Sequence, residues 1–137
     1  MKTAWMRRKE RKVMFRFEKC SYAELQDIRR KENLFLSGWK LVEEKFIDET
    51  EKIYDEDGTM VAVINYYFYG ENQNRMLIVL FEVFEPYRNQ GRGKRIIAQF
   101  IQDYYGEINL EPLNEESKAF WEQCGFESGC YLDRRIK

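Results

Sequence analysis

The stretch "EPYRNQGRGKRII", Glu85 to Ile97, sets two glycines and four cations between an apolar run and a run with helical spacing. The cations are Arg88, Arg92, Lys94 and Arg95. Such a combination could hold an anion. The first N–H groups of a helix have no partner within it, the helix dipole is positive there, and glycines let an extended phosphate approach the main chain. The same residues could equally be a glycine-containing helix start with cations for solubility, and the stretch alone leaves both open. Two nucleotide loops are excluded by spacing. A P-loop needs G-x-x-x-x-G-K-[ST], but Gly93-Lys94 is followed by Arg95 and the first glycine position is Arg88. A dinucleotide loop needs G-x-G-x-x-G, and its third glycine position is Ile96.

Histidine is absent from the chain. That excludes Ser-His-Asp and Cys-His catalysis, His-ligated zinc and the usual general base near neutral pH. Carboxylates, tyrosines, thiols and positioning remain. Glu82 interrupts the apolar run "MLIVLFEVF". A carboxylate there is costly unless solvated or paired, and burial would raise its pKa toward a range useful for a base, so Glu82 is the candidate base. If Leu77, Val79, Phe81 and Val83 face a cleft, Glu82 points the other way. Tyr131, on the last segment, is the candidate acid. The odd cysteine count (Cys20, Cys124, Cys130) agrees with reduced thiols. Their spacing fits no zinc pattern, so no metal is expected. Cys124 and Cys130 read as core or edge thiols, having no histidine to activate them.

The elements that must position these groups follow from periodicity. "KVMFRFEKC" alternates Val13, Phe15 and Phe17 as a strand. Ser21 and Glu24 form a capping-box pattern before Tyr22, Leu25 and Ile28 at helical spacing. A second short helix is expected from Ser37 to about Phe46, with Leu41 and Val42 inward. "KIYDEDGTMVAVINYYFYG" reads as a hairpin turning at Asp57-Gly58, and "MLIVLFEVF" as a central strand. Ile96, Ile97, Phe100, Ile101 and Tyr104 then define an amphipathic helix ended by Gly106. "EINLEPL" is a short strand, Asn114 caps a helix stopped by Gly125, and "FESGCYLDRR" could be one more strand. The order β-α-α-β-β-β-α-β-α-β predicts an α/β (α+β) mixed sheet with helices on its faces. Residues 1–137 read as a single domain, with 1–12 a flexible basic head.

The helix "NEESKAFWEQCGF", Asn114 to Phe126, follows the strand after the glycine stretch. Together the two resemble the GCN5-related N-acetyltransferase (GNAT) superfamily. Arg88, Gly91 and Gly93 match its [QR]-x-x-G-x-[GA] motif, approached through Val83 and Pro86. Asn114, Ser117, Phe120, Trp121, Gly125 and Phe126 match its N-x-x-[AS]-x-x-[FL]-[YW]-x-x-x-G-F helix. The resemblance implies acetyl-CoA, or another acyl-CoA, as co-substrate. Arg88 and the loop of Asn89, Gln90, Gly91, Arg92, Gly93 and Lys94 would hold the pyrophosphate, chiefly through backbone amides from Gln90 to Lys94. Val83 and its strand neighbours would pair with the pantetheine arm where two parallel strands splay apart. Asn114 would hydrogen-bond the arm, with Ser117 beside it. The positive charge of Arg92, Lys94 or Arg95 would suit the 3′-phosphate.

The resemblance further implies direct attack of a primary amine on the thioester, with no covalent enzyme intermediate. The helix position that often carries a protonating tyrosine holds Trp121, whose indole N–H can donate a hydrogen bond but not serve as an acid. The rival expectation is a non-catalytic acyl-CoA-binding or protein-interaction domain of the same fold. Only eleven residues follow Phe126, where the superfamily usually adds two strands, so a homodimer could complete the sheet.

Charge is uneven although the formal net is −1. The head, Lys2 to Lys19, is basic, but without an overall positive balance no nucleic-acid partner is expected. "EEKFIDETEKIYDEDG", Glu43 to Gly58, is acidic and suggests a cationic acceptor such as a polyamine, aminoglycoside or lysine-bearing peptide. No apolar run has membrane-spanning length and the first residues lack the apolar core of a signal peptide, so a cytoplasmic location without membrane partners is expected.

Overall fold

The computed structural model describes residues 14–44, 49–102, 104, 106–127 and 132–135. The strands are β1 (Arg16–Lys19), β2 (Thr50–Tyr54), β3 (Met60–Tyr69), β4 (Arg75–Val83), β5 (Glu107–Leu110) and β6 (Leu132–Arg135). The α-helices are α1 (Tyr22–Lys31), α2 (Arg92–Ile101) and α3 (Glu115–Gln123), and a 3-10 helix runs from Ser37 to Leu41. The strands form one sheet in chain order, antiparallel throughout except for the parallel pair β4–β5. A parallel pair needs a crossover, which α2 supplies. The mixed α/β class and the predicted element order are both observed.

Local chemistry explains the boundaries. At α1 the Glu24 N–H donates to Ser21 Oγ (3.1 Å) and the Ser21 N–H to Glu24 Oε1 (2.9 Å), completing the capping box. Between β2 and β3, Asp55 Oδ1 accepts from the N–H of Asp57 (2.9 Å) and Thr59 (3.0 Å). Ahead of α3, Asn114 Oδ1 accepts from the Ser117 N–H at 2.8 Å.

Two elements depart from the sequence reading. The short helix after α1 is 3-10 and stops at Leu41. Its three-residue period puts Trp39 and Val42 on the inner side, and Leu41, expected inward, is 78% exposed. The helix after the glycine stretch ends at Ile101 rather than at Gly106. Gly106 instead sits where the chain passes tightly over the Asn74 carbonyl.

The sheet separates two apolar cores. One gathers Met76, Ile78, Ile96, Ile97, Ile108 and Trp121 beneath α2 and α3. The other gathers Leu25, Ile28, Trp39, Leu80 and Phe84 beneath α1 and the 3-10 helix. Strict alternation would send Ile78 and Leu80 to the same face. They go to opposite faces because the β3–β4 register steps from Tyr66↔Ile78 to Asn65↔Leu80, leaving Val79 as an extra residue, a β-bulge. Past the bulge Phe81 and Val83 pack on the α2–α3 core, while Leu80, Glu82 and Phe84 turn to the α1 side.

Candidate active site

Strand β5 pairs with β4 only as far as Ile78↔Leu110, whereas β4 continues to Val83. The two parallel strands therefore part at the bulge. A cleft of about 470 Å³ opens there, lined by residues 78–83 of β4, by Leu110 at the end of β5 and Glu111 just beyond it, and by both flanking layers. It reaches both faces of the sheet. Gly93, Ser117, Phe120 and Trp121 line it from the α2–α3 side, Phe35 and Leu36 from the α1 side. Main-chain polarity follows from pairing. The Phe84 N–H donates to Val61 O at 2.8 Å, so Glu82 and Leu80 also direct their amides toward β3. The alternate residues, Phe81 and Val83, present theirs to the cleft.

The α2 end of the cleft is built from backbone. Gly91, the N-cap of α2, adopts φ 71° and makes no side-chain cap bond. The intrahelical series starts with the Arg95 N–H on Gly91 O (3.3 Å), so the amides of Arg92, Gly93 and Lys94 lack helical acceptors. Gly93 is closely approached, since a Cβ there would lie 3.2 Å from Phe120 Cε1, a tight contact, and 3.5 Å from Val83 Cγ2, an ordinary one. Asn89 and Gly91 both take left-handed backbone, which folds the loop back over the helix start. Arg92 lies with Cζ 5.3 Å from the Tyr87 ring centroid, and its buried Nη1 has no protein partner. An extended polyanion fits uncapped amides, an open left-handed glycine and a buried unpartnered guanidinium nitrogen.

The α1 side is organised by one carboxylate. Glu82, 5% exposed, accepts four hydrogen bonds. Oε2 takes the Phe35 N–H (2.5 Å) and Arg88 Nη2 (2.6 Å), and Oε1 takes the Leu36 N–H (2.9 Å) and Trp39 Nε1 (3.0 Å). Arg88 Nε also donates to Val83 O at 2.7 Å. The arginine of the glycine loop is thus turned inward, tying that loop to the end of β4, and the Val83 carbonyl is occupied while its N–H still faces the cleft.

Of the other residues singled out by sequence, Asn89 and Ser117 line the cleft, as does Asn114, which spends Oδ1 on its cap and keeps its amide nitrogen as donor. Gln90, Lys94 and Arg95 are exposed around the loop. Trp121 is buried edge-to-face against Phe81 (centroids 6.1 Å), Phe120 (5.1 Å) and Phe126 (5.4 Å), a packing role. Tyr131 and Cys130 lie outside the described residues, as does most of the basic head. Burial pushes the thiols of Cys20 and Cys124 up to about 11, with Glu24 adding to the effect at Cys20, so both stay protonated near neutrality. None of the described residues of the acidic run Glu43–Gly58 lines the cleft. Sequence reasoning missed Phe35, Leu113 and Glu111, which line it from loops without periodicity. Among the described residues no three Cys, Asp or Glu side chains gather as a metal site requires.

Comparison with known proteins agrees with this architecture. The profile of the Acetyltransferase (GNAT) family matches residues 11–126. No curated protein sequence matches the chain significantly. Among solved structures, Ard1 from Thermoplasma volcanium superposes with a TM-score of 0.64 at 16% identity, covering 91% of this chain and 99% of its own. The Bacillus subtilis N-acetyltransferase YlbP in complex with coenzyme A gives 0.59 at 19% identity, covering 89% and 97%. Arabidopsis thaliana Naa50 in complex with the bisubstrate analogue CoA-Ac-MVNAL gives 0.59 at 18% identity, covering 88% and 97%. At these identities the likeness is one of fold.

Proposed function

The chain belongs to the GNAT family of acetyltransferases, and from that premise we propose that it transfers an acetyl group from acetyl-CoA to a primary amine by direct attack in a ternary complex. The observation that carries this reading is the parting of β4 and β5 beside the uncapped start of α2. It supplies a place for a thioester arm and, next to it, one for a pyrophosphate.

The amides of Arg92, Gly93 and Lys94 grip the pyrophosphate, with Asn89, Gln90 and Gly91 shaping the loop around it. Arg92 Nη1 is a buried donor without a protein partner at the start of α2, and the exposed Lys94 and Arg95 add charge for the 3′-phosphate. Phe81 and Val83 pair with the pantetheine arm through their main-chain N–H groups, and Asn114 Nδ2 donates to it, with Ser117 alongside. The thioester supplies the activated acyl group. A strand N–H polarises its carbonyl. The lone pair of the amine nitrogen forms the C–N bond, the C–S bond breaks with its electrons on sulfur, and the nitrogen sheds one proton while sulfur gains one.

Glu82 takes a positioning role here rather than that of base. Both of its oxygens already hold two donors, and a proton taken by either would displace Phe35, Leu36, Trp39 or Arg88. Trp121 cannot protonate the leaving thiolate, so the open, solvated cleft serves both proton transfers. The test is thiol release from acetyl-CoA across a panel of primary amines. Amine-dependent release with formation of the acetamide supports the reading. Binding of acetyl-CoA with release at background for every amine overturns it in favour of a non-catalytic domain.

A further inference from the structure

The geometry points to an acceptor whose reacting ammonium is carried on an apolar skeleton, an arylalkylamine or a peptide N-terminus with large apolar side chains, rather than a polyamine or aminoglycoside. The inference rests on the transferase reading above and names the substrate class for that site. Of the large apolar side chains exposed among the described residues, Phe35 (77%), Leu113 (59%) and Val79 (40%) line the cleft, whereas Leu41, Tyr67 and Phe68 do not. Phe35 comes from the loop after α1, Val79 from the bulge and Leu113 from the loop before α3. No local run of sequence brings them together; the fold does.

Phe35 stands on an anchored backbone, since its N–H and that of Leu36 both end on Glu82. An exposed ring above fixed main chain, at the mouth of a cleft, is suited to docking an apolar group, because little freedom is lost when it is covered. Charge selects the rest of the ligand. The cleft is lined by the carboxylates of Glu82, Glu111 and Glu116 and, among the described residues, by one guanidinium, Arg88, which is paired with Glu82. Glu111 and Glu116 are exposed and favour a cation at the rim. The described residues of the acidic run that could attract a polycation do not line the cleft. Within that run Asp55 accepts from its own turn, and Glu51 accepts from the Tyr66 hydroxyl.

Thiol release from acetyl-CoA by the full chain is compared for 2-phenylethylamine, a tetrapeptide opening on methionine and leucine, and spermidine. The better of the two apolar amines is expected to exceed spermidine in kcat/KM by about tenfold or more, and the ratio between them identifies small amine or peptide as the source. Phe35→Ala removes an exposed ring, so the fold is kept. It is expected to raise KM for the apolar amine about tenfold while KM for acetyl-CoA stays unchanged. Spermidine turned over as well as the apolar amines, or an unchanged KM in Phe35→Ala, overturns the inference. If coenzyme A raises Tm but no amine releases thiol, the transferase reading fails, and titration of 2-phenylethylamine into the CoA complex decides. Saturable binding weakened by Phe35→Ala upholds the apolar site, and absence of binding overturns it. Failure of coenzyme A to raise Tm overturns both.

Discussion

At its α2 end the cleft is made of backbone: uncapped amides after Gly91, with Gly93 close against Phe120. On its α1 side it is made of side chains and a loop hung from one buried carboxylate, Glu82. The two walls divide the labour of recognition. Backbone amides recognise a pyrophosphate whatever the neighbouring side chains, so that wall can be stiff and generic. The wall with Phe35 takes its shape from side chains that can change without disturbing the sheet, which suits it to choosing an acceptor. Arg88 joins the two, bonding Glu82 on one side and closing the end of β4 on the other.

The largest expected effect comes from breaking the α1 wall. Glu82→Ala strands Arg88, Trp39 Nε1 and two backbone N–H groups, and should destabilise the protein by about 3 kcal/mol. In a thermal melt that corresponds to Tm lower by about 10 °C. A Tm within about 2 °C of wild type would show that the carboxylate does not hold this wall together. Glu82→Gln separates positioning from base catalysis. The amine KM should rise while the pH dependence of kcat keeps its shape, whereas loss of the rising limb of the profile would identify Glu82 as the base.

Next in size is the backbone wall. Gly93→Val should cost about 2 kcal/mol through collision with Phe120 and Val83 and should abolish the Tm rise given by acetyl-CoA. Gly91→Ala meets nothing within 4 Å and strains only its φ of 71°, so about 1 kcal/mol is expected, with acetyl-CoA binding retained but weaker by calorimetry. Equal effects of the two substitutions would remove the distinction between a packed and an open glycine. Smaller still, Trp121→Phe should leave kcat within about threefold, because the indole packs and holds no acidic proton. A loss of about a hundredfold or more would place the indole N–H in the chemistry.

The smallest effect is on pH stability. The thiols of Cys20 and Cys124 sit near 11 in the folded chain against an ordinary 9.0. A raised thiol pKa disfavours deprotonation of the folded state alone, so the stabilising term is whole below about 9 and is lost as pH rises toward about 11. Melts of the Cys20→Ala, Cys124→Ala double variant should lose Tm less steeply than wild type across that window. Parallel curves would contradict the burial of these thiols.

The backbone wall could be read from the sequence because its signals are local. Arg88, Gly91 and Gly93 lie within six residues, and Asn114 with Ser117 marks the next helix start. The opposite wall could not. Phe35 and Glu82 are 47 residues apart, and nothing in "ENLFLSGW" announces that its phenylalanine faces outward while its tryptophan turns in. The 3-10 period turned Leu41, expected inward, out to solvent and kept Val42 inward. Glu82 was visible as an unusual carboxylate, but its four donors come from the loop after α1, the 3-10 helix and the glycine loop, which only the fold assembles. The bulge at Val79 has no sequence mark, yet it decides which face of the sheet each side chain at the end of β4 takes.

Both walls are tested at once by a conjugate of coenzyme A linked through its acetyl group to 2-phenylethylamine, titrated calorimetrically against coenzyme A alone. A donor and an acceptor meeting in one passage through the sheet predict that the conjugate binds about a hundredfold tighter than coenzyme A, with the gain cut about tenfold in Phe35→Ala. A conjugate that binds no tighter than coenzyme A would contradict a shared passage for the two substrates.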